Sequence, residues 1–153
     1  MSIYVLALLI GMITGLRTMI GPAAVSWAAS LGVLHVQDTA LAFLGAPIAP
    51  YIFTALAVAE LIGDLLPRTP SRTVPIQFGA RVMSGAWCGA AVGASGGALF
   101  TGLVLGVIGA GIGTFGGAAI RSRLAAAFGR DLPAALLEDA LAVGAAFWLF
   151  AVF

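Results

Sequence analysis

Glu60 and Asp64 stand four residues apart inside an otherwise apolar run, 47–66, so a helix there would place both on one face. Glu138 and Asp139 lie near the start of a second apolar run, 134–153. Arg81 sits inside a third, 76–95, and Arg17 closes the first, Ile3–Leu16. Carboxylate oxygens suit hard cations and protons, and two carboxylates held close favour proton uptake by one of them. The pattern points to a cluster of Glu60 and Asp64 with Glu138 or Asp139 that binds a cation or passes protons. Arg17 and Arg81 would be its counter-charges. Adjacent helical residues point about 100° apart, so only one of Glu138 and Asp139 can face the Glu60 helix directly. The same residues also fit a plainer role. Glu60 would pair with Arg81 or Arg17, and the rest would form a salt-bridge belt that fixes helix register.

The elements that position these groups follow from composition. Of 153 residues, 61% are hydrophobic and 8% are charged, and mean hydropathy is +1.12. A soluble domain carries about 25% charged residues. So few charges cannot cover a soluble surface, and disordered chains are polar and charge-rich. A formal net charge of +1 with no basic run excludes nucleic acid as a partner. The single Cys88 permits no intrachain disulfide and no cysteine metal site, and reads as a small apolar residue. No Ser/His/Asp arrangement, histidine metal motif or phosphate loop is present, so neither an enzyme nor a cofactor is expected and no metal identity follows. His35, beside Gln37 and Asp38, reads as a solvated loop residue. Trp27, Trp87, Trp148, Tyr4 and Tyr51 read as interface anchors and packing residues. The class that remains is a small all-helical membrane bundle, a single domain over 1–153.

A bilayer span needs about 20 mostly apolar residues. Six runs approach that: Ile3–Leu16, 18–36, 47–66, 76–95, 98–120 and 134–153. No basic region precedes the first run and no small-residue cleavage pattern follows it, so it is expected to stay in the mature protein. With six spans and the N-terminus outside, all seven arginines fall on one side, as the positive-inside rule requires of the cytoplasmic face. All six intramembrane ionisable groups then occupy the cytoplasmic half, within reach of Arg68, Arg72, Arg121 and Arg123. The alternative is five spans with 18–34 re-entrant, because Gly15-Leu16-Arg17-Thr18 is a tight turn and Gly21-Pro22 can break a helix. That arrangement puts Arg17 outside, against the charge bias. The loop 67–75 holds three prolines and is expected to be extended and stiff. The stretch 121–132 has Leu124 and Phe128 on one face and reads as an interfacial helix.

Glycine recurs every four residues at Gly85, Gly89, Gly93 and Gly97, at Gly102 and Gly106, and at Gly109, Gly113 and Gly117. Gly11 and Gly15 form a shorter pair. In lipid, helices associate by close packing more than by hydrophobic drive, and such stripes let backbones touch. The fourth and fifth segments should pack closely, against each other or across an interface between copies. A bundle of 15.4 kDa is thin for enclosing a path, so a homodimer or larger homo-oligomer is expected.

Four runs carry a family resemblance: Gly15-Leu16-Arg17-Thr18 with Gly21-Pro22-Ala23; 59–67 followed by Thr69-Pro70-Ser71-Arg72-Thr73; Arg81 with Ser84-Gly85-Ala86; and Leu137-Glu138-Asp139 before Ala142. Together they resemble the bacterial integral-membrane family catalogued as domain of unknown function 4126. The resemblance covers nearly the whole chain, and 60–72 is its most specific part. It implies an inner-membrane, multi-pass protein and brings no reaction with it. More loosely, Glu60-Leu61-Ile62-Gly63-Asp64 is similar to the Glu-x-Gly-Asp motif of small calcium/manganese–proton exchangers, with the spacing one residue off and no second copy. The resulting expectation is a transporter or channel for a cation, a proton-coupled solute or another small solute, with membrane lipid around it. The alternative is a structural or accessory subunit whose charges serve only packing.

Overall fold

The computed structural model describes residues 2–66 and 73–152. Six α-helices follow in order: α1 Ile3–Leu16, α2 Ile20–Ser30, α3 Ala49–Asp64, α4 Pro75–Ser95, α5 Leu99–Phe128 and α6 Asp131–Ala151. A short 3-10 turn, Ala42–Gly45, precedes α3, and no strand occurs among the described residues. Most of the proline-rich loop 67–75, with Arg68 and Arg72, lies outside the described residues.

Local chemistry sets the boundaries. Pro50 and Pro75 sit in the first turns of α3 and α4, where a missing N–H leaves no helical bond unmade. The α4–α5 turn needs a left-handed residue and has Gly97 at φ +71°; Gly129 at φ +68° ends α5 in the same way.

Contacts fix the directions. Gly11 lies against Gly106 and Gly15 against Ala110 and Thr114, so α1 runs parallel to α5. Gly85 meets Gly106 while Gly93 meets Gly102, so α4 and α5 are antiparallel. Met19 bonds to Glu60 and Trp27 to Thr54, so α3 returns along α2. Thus α1, α3 and α5 point one way and α2, α4 and α6 the other.

The segment 18–36 departs from the expected span. Its helix stops after 11 residues, roughly 16 Å, and residues 31–36 are irregular. Even so, Ser84 Oγ donates to the Thr18 carbonyl at 2.7 Å and the His35 amide donates to Ser95 Oγ at 2.9 Å. The segment therefore climbs the same height as α4 between Ser84 and Ser95. The stretch 121–132 is not a separate interfacial helix. It has no breaker before Gly129, so α5 continues unbroken through Arg121 to Phe128. Two helices, α5 and α6, are long and apolar enough to cross a membrane; the others are shorter or less apolar.

Many large apolar side chains lie on the surface. Ile76, Phe100 and Phe147 are exposed over three-quarters or more of their surface. The centre is built from glycine and alanine with Ile10, Val25 and Val92, and the largest fully buried side chain is Arg17. The glycine rows are spent inside one chain: Gly85, Gly89 and Gly93 face Gly102 and Gly106, while Gly109 and Gly113 face Leu8 and Met12 of α1. A Cβ at any of these would strike backbone. Gly117 is also buried.

Ser26 in α2 is fully buried and its hydroxyl has no hydrogen-bond partner. Removing an unsatisfied polar atom and raising helix propensity act in the same direction. Ser26→Ala should leave the melting temperature in detergent unchanged or raise it.

Candidate functional site: a charged ring at a helix break

The chain turns sharply between α1 and α2. Arg17 is extended, with φ −141° and ψ 116°, though its amide still donates to Ile13 O at 2.8 Å. A helix end leaves backbone groups without partners, and at buried depth other side chains must supply them. Arg81 Nη1 donates to Gly15 O at 2.8 Å and to Leu16 O at 2.7 Å. Thr114 Oγ1 adds a bond to Gly15 O at 3.2 Å. On the α2 side, Glu60 Oε1 accepts from the Thr18 amide and Oε2 from the Met19 amide, both at 2.8 Å. A cation thus sits at the C-terminal end of α1 and an anion at the N-terminal end of α2, the favourable polarity for both helix dipoles. Glu60 Oε1 and Arg81 Nη2 are 4.0 Å apart, so the two clamps also face each other.

Below the break lies a closed ring of alternating charge. Arg17 Nη1 is bonded to Asp64 Oδ2, which also receives Arg121 Nη1 at 3.1 Å. Arg121 Nη1 lies 3.6 Å from Glu138 Oε2, and Glu138 Oε2 lies 3.9 Å from Arg17 Nη2. Asp139 pairs with Arg17 Nη2 from outside the ring. Asp131 holds Arg121 through two bonds, Nε to Oδ1 at 3.0 Å and Nη2 to Oδ2 at 2.6 Å. Arg17 is fully buried and Glu138 nearly so. The ring ties together α1, α3, α5 and α6, whose direct packing is far less even: α3 packs mainly on α2.

All four acids marked in the sequence come to this end of the bundle, but arginines stand between them. Glu60 serves backbone amides instead of joining Asp64 in one cation cage, and no group of three metal-ligating residues forms among the described residues. Both Glu138 and Asp139 reach Arg17, so neither has to face the Glu60 helix. Arg81 donates to two carbonyls of the break, and Arg121 joins the ring as a full member. The hydroxyls of Ser84 and Thr114 complete the break, and their sequence signal was polar residues deep in apolar runs.

Glu60→Gln tests the clamp. The amide keeps one acceptor but turns its NH2 toward a backbone donor, leaving one buried N–H without a partner. A loss of roughly 1–3 kcal/mol is expected, read as a lower melting temperature, and Glu60→Ala should lose more.

No family model matches the chain, and no curated protein or solved structure matches it.

Proposed function

We propose that this chain is a multi-pass protein of the bacterial cytoplasmic membrane that moves a cation or a proton-coupled small solute. The observation that carries this reading is the break between α1 and α2 meeting a buried charged ring. Carriers place the ends of interrupted helices at their binding sites, and ionisable groups inside a membrane protein tend to mark ion paths. Six alternating segments with an apolar outer surface fit the bilayer, and the arginine-rich end would be cytoplasmic. Membership of the domain of unknown function 4126 family is part of the proposal and rests on the four sequence runs.

In this reading Asp64, Glu138 and Asp139 take up the proton or cation. Neutralising them loosens their hold on Arg17 and Arg121, so α3 and α6 can part from the core. Glu60 and Arg81 keep the break in register throughout. No catalytic step is assigned. Association into a homodimer would use lipid-facing surfaces, since the glycine rows are already occupied within one chain.

One observation favours the second reading, an accessory subunit without transport: each acid already binds an arginine or backbone amides. Purified protein in liposomes with a proton-sensitive dye, challenged with mono- and divalent cations, separates the two. Flux supports the carrier. Its absence for every ion, from folded protein, supports the accessory subunit.

A further inference from the structure

The break at Arg17 separates two sets of contacts. Arg81 of α4 holds the carbonyls of Gly15 and Leu16, and Thr114 of α5 also bonds to Gly15. These bonds tie the end of α1 to α4 and α5. Past Arg17 the partners change. The Thr18 and Met19 amides bond to Glu60 of α3. Farther along α2, Trp27 Nε1 donates to Thr54 Oγ1 at 3.0 Å, and its ring meets that of Tyr51 edge-on at 5.3 Å. The stretch 31–48 belongs to the same side: a Cβ on Gly45 would sit 3.6 Å from both Ala29 Cβ and Val36 Cγ2. α2 packs more on α3 than on any other helix, and α3 packs on α2 and the 3-10 turn.

The two sides are also joined differently. Within α1, α4 and α5, backbone meets backbone at Gly11, Gly85, Gly89, Gly106 and Gly113, and such close packing cannot shift without opening voids. Across the join, Gly21 of α2 meets the side chains of Thr14 and Cys88. Val25, Leu34 and Val36 share one apolar cluster with Leu6, Ile10 and Val92, and apolar contact is non-directional. Polar links across the join sit at three places. Ser84 and Arg81 reach Thr18 and Glu60 at the break, and Asp64 binds Arg17 and Arg121 at the charged end. At the far end the His35 amide bonds to Ser95 Oγ, where Phe43 also meets Trp87. We infer that α2, 31–48 and α3 move as one body about Arg17 against a rigid core of α1, α4 and α5, with Asp64 as the latch at the charged end. Hinges are a few residues at element ends that absorb backbone rotation, and Arg17 is the extended residue between the two clamps. This is the moving part that the carrier reading above requires, and its role in flux rests on that reading.

Amide hydrogen exchange, read by mass spectrometry on the full-length protein in detergent, tests the motion without any need for flux. Cooperative units open separately, so amides of α2, 31–48 and α3 should share one protection level and exchange about tenfold or more faster than those of α1, α4 and α5. Asp64→Asn releases the latch at one end only. It should speed exchange throughout the moving body, including 31–48 at the opposite end, and leave α1, α4 and α5 unchanged. Equal protection of the two bodies in the wild type would overturn the inference. So would an Asp64→Asn effect confined to α3, or one that spreads equally to the core. Flux in liposomes is scored separately. Concerted exchange of the moving body in a protein that moves no ion would defeat the carrier and leave the hinge standing. Flux through a protein whose α2 and α3 do not exchange together would defeat the hinge and leave the carrier.

Discussion

Arg17→Met should be the most damaging single substitution in the ring. Arg17 is fully buried and binds Asp64 and Asp139, with Glu138 close by. Removing it takes from Asp139 the arginine it pairs with and leaves Asp64 and Glu138 to share Arg121. Breaking one side of a buried ion pair costs roughly 3–5 kcal/mol, because the remaining charge stays desolvated. Arg17→Met should therefore shift unfolding in detergent by that amount or prevent recovery of folded protein. Adding Asp64→Asn and Asp139→Asn should restore much of the loss, since neutral amides tolerate burial beside methionine. Without that recovery, the arginine would be acting through its shape and not its charge.

The second large effect concerns backbone contact. A Cβ at Gly106 would collide with the Gly85 carbonyl and approach the Gly89 Cα at 3.0 Å. These are backbone atoms, so no side chain can swing away and α4 and α5 must separate. Gly11 packs on the same residue from α1, so the displacement spreads to the third helix. Overpacking of this kind costs about 1–3 kcal/mol or more. Gly106→Ala should thus lower the melting temperature sharply. Gly111, on the same helix, has nothing within 4 Å of its added Cβ. Gly111→Ala should be neutral or stabilise by about 0.5–1 kcal/mol through helix propensity. Equal outcomes at the two positions, read in the same melting assay, would contradict the packing assigned to this stripe.

Parts of this architecture are plain in the sequence for physical reasons. A four-residue glycine spacing can only mean one helix face, and Gly85, Gly89 and Gly106 lie where that face meets another. Gathering Arg17, Arg81 and Arg121 at one end is likewise legible, because charges avoid apolar surroundings. The shortness of α2 is not. Residues 31–36 are apolar enough to extend a span, and only Gly32 at φ +77° signals the stop. The roles of Glu60 and Arg81 are hidden for a deeper reason. Their partners are backbone amides and carbonyls at a break, and those groups have no residue identity to read. Arg121 was legible as a charge near an interface. Its place between Asp64 and Glu138 depends on α5 continuing past it and on where α3 ends.

The central claim is that the ring couples to ion movement, and Asp139→Asn tests it most directly. Asp139 binds Arg17 from outside the closed ring, so Asp64 and Glu138 remain to hold the guanidinium. Flux in liposomes and melting temperature would be measured on the same preparations of the wild-type protein and the variant. A working carrier gives ion-dependent flux in the wild type and loses most of it in a variant that still melts cooperatively. Undiminished flux in the variant, or folded wild-type protein that moves no ion, would contradict the account.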